Sequence, residues 1–238
     1  MPAPGGPPQL HRSPPATPGR QPGPARRGAR PRRVTSDRWA KPLVFLAALL
    51  PLLLLAWRLL HDDLGGDPIE ALEKETGTWA LRFVAITLAL TPLRRLFGWS
   101  ALARYRRMLG LFAFAYATVH LAIYAGLDME LSAADLVEDV VEHPYVTIGF
   151  ATWLLLVPLA LTSIKGFQRR LGGRRWNRLH QLTYLVAVTG TIHYLWAVKK
   201  DTLRPFTYAV VFALLLGWRV WARYRPRPAA RAREEAAA

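Results

Sequence analysis

Trp176-Asn177-Arg178-Leu179-His180-Gln181-Leu182-Thr183-Tyr184-Leu185-Val186-Ala187-Val188-Thr189-Gly190-Thr191-Ile192-His193-Tyr194-Leu195-Trp196 is the stretch on which the fold turns. From Leu182 to Trp196 it holds no Lys, Arg, Asp or Glu, and its length is that of a helix crossing a bilayer, roughly 17–25 residues. Working outward, comparable apolar runs are found at 42–60, 78–96, 109–127, 145–165 and 205–222, with the quoted stretch contributing 177–197. The expectation is an all-α membrane protein: a six-helix transmembrane bundle occupying residues 42–223. The flanks, 1–41 and 224–238, are rich in Pro, Arg and Ala and poor in large apolar side chains. Such segments bury too little surface to offset ordering entropy, so both are expected to be disordered tails. Pro51 and Trp57-Arg58 mark the first run as a retained helix rather than a cleaved signal.

The net charge of +16 invites a nucleic-acid reading, but the placement of the charges points to the membrane. Lys and Arg concentrate in 1–41, 94–107, 165–178 and from 219 onward, which together hold 26 of 32. The alternate segments, 58–82, 128–144 and 197–204, hold 13 of the 16 acidic residues. Because Lys/Arg-rich segments stay inside, both termini and the two Arg-rich loops are expected in the cytoplasm, with no nucleic-acid partner. The absence of cysteine excludes disulfides, thiolate metal sites and a cysteine nucleophile.

Three histidines fall within apolar runs: His120, His180 and His193. Ionisable groups at membrane depth are rare and usually functional, and neutral imidazole is a ready metal ligand. At 1.5 Å rise per residue, His120 lies ~16 Å from Leu109 and His193 ~24 Å from Asn177, both in the outer half. His180 lies only ~4 Å in, at the depth of Arg106 and Arg107. His120 and His193 are therefore the expected axial pair of a haem. Ala113, Ala117, Thr189 and Gly190 lie on the histidine faces and leave room either for a flat macrocycle or for close helix packing. His180 and His193 sit roughly 140° apart around a straight helix, so both can face the third helix only if the fifth bends, with Gly190 a candidate place. Arg82 could snorkel to the outer surface or pair with a haem propionate. In the outer loop, Ser132 with Asp135 forms a capping pattern ahead of an apolar stripe, Leu136, Val137, Val140 and Val141, suited to a short interfacial helix that could face a partner.

Several motifs, in order, carry a resemblance: Gly77-Thr78-Trp79-Ala80-Leu81-Arg82, Thr91-Pro92-Leu93-Arg94-Arg95, and Arg106-Arg107-Met108-Leu109-Gly110-Leu111 leading to Tyr116 and His120. They continue through Pro158-Leu159-Ala160-Leu161-Thr162-Ser163, Arg170-Leu171-Gly172, Trp176, Leu179-His180, Tyr184 and His193-Tyr194-Leu195-Trp196. Over about residues 43–222 the chain resembles the MsrQ (YedZ) family, within the ferric-reductase-like transmembrane group. The resemblance implies a b-type haem subunit of the bacterial inner membrane, with one or two haems and His120, His180 and His193 as ligand candidates. It further implies electrons from quinol or a cytosolic flavin reductase, FMN as an additional cofactor, and delivery to a periplasmic molybdopterin-containing methionine sulfoxide reductase that repairs oxidised proteins. Ferric reductases and NADPH oxidases typically place two histidines on each of two helices; this chain has one on its third. No G-x-G-x-x-G follows a strand, so a separate donor is expected, whereas Gly172-Gly173-Arg174-Arg175 suits either an FMN phosphate or a plain basic loop. A stand-alone ferric-chelate reductase is the alternative reading.

Overall fold

The computed structural model describes residues 39–198 and 202–224. The tails expected at 1–41 and 224–238 lie outside this range except at their inner edges, where helix α1 already begins at Ala40. Eight α-helices follow in order: α1 (Ala40–Leu60), α2 (Pro68–Phe97), α3 (Arg106–Ile123), α4 (Ala133–Glu142), α5 (Pro144–Leu161), α6 (Lys165–Leu179), α7 (Leu182–Ala197) and α8 (Leu203–Tyr224). A 3-10 turn at Ser100–Arg104 precedes α3 and a π-helical turn at Tyr124–Asp128 follows it. No strand occurs among the described residues.

Local chemistry sets the ends. Asp67 caps α2 by accepting from the Glu70 backbone N–H at 2.9 Å, with Pro68 in the first helical position. This starts α2 ten residues before its expected apolar run. Gly98, at φ 69°, takes the left-handed conformation that closes the same helix. Ser132 caps α4 through the Asp135 N–H, as the capping pattern suggested.

Among the described residues, four helices are long and apolar enough to cross a membrane: Ala40–Leu60, Arg106–Asp128, Pro144–Leu161 and Leu203–Tyr224. α2, with Arg82 inside its apolar stretch, and the 16-residue α7 are not among them. The molecule is an all-helical, multi-pass membrane protein.

Burial separates the helices. α1 hides only Ala48 and Leu55 and turns Leu43, Phe45, Leu46, Leu50, Leu53 and Leu54 outward, as a lipid-facing span does. α2 is central: it packs on α3, α7, α8 and α1 and buries Leu81, Phe83, Val84, Leu88 and Leu90. α5 packs mainly on α7 and also on α3. One tie joins α1 to this core. The Tyr116 hydroxyl donates to the Ala48 carbonyl (2.9 Å) and accepts from the Leu52 N–H (3.0 Å). It thereby enters the α1 hydrogen-bond ladder beside Pro51, where the helix has lost a donor.

The fifth apolar run is the main departure from expectation. It is not one helix: α6 ends at Leu179, α7 begins at Leu182, and His180-Gln181 form the junction. α6 is a basic helix, kinked at Gly172 (φ 72°, ψ 156°), rather than a loop. The expected bend at Gly190 is absent; a Cβ there would meet Leu81 and Thr152, so this glycine serves close packing of α7 against α2 and α5.

Candidate functional site

His120, on the last turn of α3, and His193, near the end of α7, come together at the acidic end of the bundle. Their ring centroids are 6.1 Å apart, with planes at 69°. A metal–imidazole bond of ~2 Å, with each centroid ~1 Å behind its nitrogen, puts two rings opposed across one iron at ~6 Å. The observed separation fits that arrangement.

Each ring is held by the same device. His120 Nδ1 lies 3.1 Å from the Glu73 carbonyl of α2, and His193 Nδ1 lies 2.7 Å from the Tyr145 carbonyl of α5. A carbonyl only accepts, so both imidazoles carry their proton on Nδ1 and leave Nε2 with a free lone pair. This is the tautomer and orientation a histidine needs to ligate a metal, and the outer hydrogen bond raises its basicity.

Two glycines complete the cradle. A Cβ on Gly149 would stand 2.6 Å from His193 Nδ1, and one on Gly77 would stand 3.3 Å from His120 Cε1 and Nδ1. Only a residue without a side chain fits Gly149 while His193 keeps its position. Two of the residues expected to make room lie away from the pair: Ala113 lines the inner cavity with Leu156 and Thr87, and the Thr189 hydroxyl donates to the Leu185 carbonyl and accepts from Thr152. Gly77 stood within a quoted motif for another reason, and Gly149 was missed. Its signal was a small residue on a neighbouring helix, legible only once α5 and α7 are paired.

His180 is placed apart from the pair. It stacks on Trp176 at 3.9 Å, and its Nε2 lies 3.3 Å from the Thr162 hydroxyl. That hydroxyl already donates to the Pro158 carbonyl (2.6 Å), so it accepts from His180, whose Nε2 therefore bears the proton. His180 also lines a cavity of about 160 Å³ with Thr87, Arg106 and Arg107, at the depth the sequence suggested.

Around the outer pair, the Glu73 side chain is partly buried, with one carboxylate oxygen lacking a partner among the described residues. Burial, followed by repulsion from Asp128, Asp67 and Glu70, raises its pKa from 4.5 to about 7. Arg82 does not meet the histidines. Its Nε donates to the Tyr208 hydroxyl at 3.1 Å and its guanidinium covers the Trp79 ring at 4.4 Å.

The family described as ferric reductase like transmembrane component matches residues 76–191, a range that includes His120 and His180 and ends two residues before His193. A chain from Xanthomonas oryzae pv. oryzae (strain MAFF 311018) is 50% identical over 194 residues, covering 79% of this chain and 88% of the relative. The chain belongs to the MsrQ family. The Xanthomonas relative is named protein-methionine-sulfoxide reductase heme-binding subunit MsrQ, and so is one from Polaromonas naphthalenivorans (strain CJ2), 47% identical over 184 residues, 76% of this chain and 84% of the relative. The range matched by the ferric-reductase-like model holds Gly77, His120, Gly149 and His180, while Glu73 and His193 lie just outside it. No solved structure matches the chain.

Proposed function

We propose that this MsrQ-family chain is a haem b subunit that carries electrons across a bacterial inner membrane to a periplasmic, molybdopterin-containing methionine sulfoxide reductase. The observation that carries the reading is the His120–His193 pair, 6.1 Å apart, each ring fixed through Nδ1 by a backbone carbonyl. Haem b, when bound there, supplies the one-electron carrier. The polypeptide fixes two Nε2 lone pairs, keeps Gly77 and Gly149 clear of the rings, and surrounds the pair with the low dielectric of a helix bundle.

In this reading the bundle spans the membrane six times, α2 and α7 completing the set, with the basic end cytoplasmic and the acidic end periplasmic. Quinol or a cytosolic flavin reductase delivers electrons at the basic end. FMN, implied by the family, belongs to that donor side. α4 presents Val137 and Val141 outward beside its acids and is tied to the site by Tyr124 donating to Asp139, so we assign it to the reductase-facing surface. His180 would serve a second haem through Nδ1 as it stands, or through Nε2 once that nitrogen leaves Thr162.

The test is reoxidation of the chemically reduced full-length protein. Methionine sulfoxide should reoxidise it rapidly only when the reductase subunit is present, and more slowly when Asp135 and Glu138 are changed to amides. If ferric chelate reoxidises it as fast and the reductase adds nothing, the stand-alone ferric-chelate reductase reading replaces this one.

A further inference from the structure

Toward the acidic end, a cavity of about 420 Å³ opens between α2 and α8. Its walls are Glu75, Thr78 and Arg82 of α2 and Arg204, Thr207 and Tyr208 of α8. At 100° per residue, the three α2 residues stand roughly 100–160° around the helix from Gly77, against which the His120 ring lies. The cavity therefore opens on a different face of α2 from the histidine pair. Tyr208 is five residues into α8, ~8 Å from its outer start. Both helices begin at the acidic end, and helical side chains lean toward the N-terminus. Arg82 and Tyr208 thus reach outward, toward the border between hydrocarbon and headgroups.

Arg82 is fixed on two sides. Its Nε donates to the Tyr208 hydroxyl and its plane covers the Trp79 ring, whereas Nη1 and Nη2 make no hydrogen bond among the described residues. The Thr78 hydroxyl makes none either, although most helical threonines here donate to a carbonyl of the preceding turn, as Thr76 and Thr207 do. Glu75 shares the cavity with Arg82, two turns further out, yet no ion pair joins them. A cation below and an anion above, held apart in one cavity, match a zwitterion with its phosphate inward and its ammonium outward. Below the polar walls the same two helix faces turn apolar. Ile86 continues the α2 stripe one turn past Arg82 and Val211 and Leu214 continue that of α8, all three of them exposed.

From this arrangement we propose that the α2–α8 cavity binds one zwitterionic phospholipid of the leaflet at the acidic end, an aminophospholipid with a primary ammonium head such as phosphatidylethanolamine. The Arg82 guanidinium and the Thr78 hydroxyl donate to its phosphate, and the Glu75 carboxylate accepts from its ammonium. An acyl chain lies along the apolar seam past Ile86, Val211 and Leu214. A guanidinium held at this depth is costly without an anion, and the phosphate supplies one without drawing the side chain out of the bundle. The site requires only that the bundle span a membrane, and it does not depend on the haem reading.

The experiment uses full-length, haem-loaded protein, stripped of lipid in a neutral detergent, and counts bound lipid by native mass spectrometry. Phosphatidylethanolamine and phosphatidylglycerol with identical chains are titrated separately into the parent protein, Arg82→Gln, Thr78→Val and Glu75→Gln. The parent should take up one phosphatidylethanolamine, preferring it over phosphatidylglycerol by up to about fivefold, the worth of one exposed ion pair. Arg82→Gln should weaken binding of both lipids at least about tenfold, and Thr78→Val about two- to tenfold. Glu75→Gln should keep phospholipid binding and lose the preference, an outcome that a misfolded variant does not give. Equal binding of the two lipids by the parent, or undiminished binding by Arg82→Gln, overturns the proposal. So does full displacement of the lipid by an equal concentration of O-phosphoethanolamine, which would assign the cavity to a soluble phosphate. A haem-to-protein ratio that falls in Arg82→Gln while lipid uptake is unchanged overturns it in favour of a haem carboxylate. The visible spectrum of the same samples reports the His120–His193 haem separately, so failure of one reading does not imitate failure of the other.

Discussion

The two ends of the bundle treat their histidines in opposite ways. At the acidic end, His120 and His193 give Nδ1–H to carbonyls of α2 and α5 and keep Nε2 free. At the basic end, His180 commits Nε2 to Thr162, stacks on Trp176 and faces a cavity edged by arginines. All three imidazoles lie in or beside apolar helices, yet only the acidic-end pair has both rings held through Nδ1 with Nε2 unengaged. The difference teaches that the partners of a ring, and not its depth alone, decide which nitrogen it can offer to a metal.

The comparison breaks most readily at the glycines. Gly149→Ala would put a Cβ 2.6 Å from His193 Nδ1 and force the ring from the Tyr145 carbonyl. Haem retention should weaken about 10–100-fold, the usual range when a ligand's outer support is lost. Gly77→Ala, at 3.3 Å, should cost only severalfold, because His120 can give by a few tenths of an ångström. Titrating haem into each variant checks the order; equal losses would show that the two rings are held alike.

Tyr116→Phe sharpens the comparison by loosening α1 without touching either histidine centre. It removes the hydroxyl that bridges the Ala48 carbonyl and the Leu52 N–H, an i, i+4 pair that can then close on itself, so stability should fall by about 1 kcal/mol. The haem spectrum should be unchanged, and thermal unfolding with spectral readout tests both halves of that statement.

Glu73 gives the smallest effect and a pH signature. Its pKa is about 7 in the folded chain against 4.5 for the free side chain. The folded state therefore holds the proton more tightly, and stability is lost as pH rises from 4.5 through 7. Glu73→Gln should consequently gain about 1 kcal/mol at pH 8, discounted for partial exposure, and nothing below about pH 5. Unfolding midpoints across that range decide; a gain independent of pH would mean that the ionised carboxylate is not the source.

Much of this was legible in the residues. The apolar runs locate the helices, and counting from the basic end puts His120 and His193 in the same outer half. The early start of α2 was also written in Asp67-Pro68, a cap followed by a first-turn proline. The break at His180-Gln181 was not: Arg178-Leu179-His180-Gln181-Leu182 holds neither Gly nor Pro. Its partners are tertiary, Trp176 Nε1 donating to the Thr162 carbonyl and His180 reaching the Thr162 hydroxyl from across α5. Gly149 was hidden for the same reason, because its meaning depends on which helix lies opposite. Gly190 misled because a small residue near a histidine reads alike whether it admits a cofactor or a neighbouring leucine.

The central claim, that the outer pair holds haem and His180 does not share in it, is tested most directly by reduced-minus-oxidised spectra of His120→Ala, His193→Ala and His180→Ala beside the parent protein. The account predicts that either outer substitution abolishes the b-type band of the paired site, whereas His180→Ala leaves that band in place. A band that survives His120→Ala unchanged, or that disappears in His180→Ala while the protein remains folded, would contradict it.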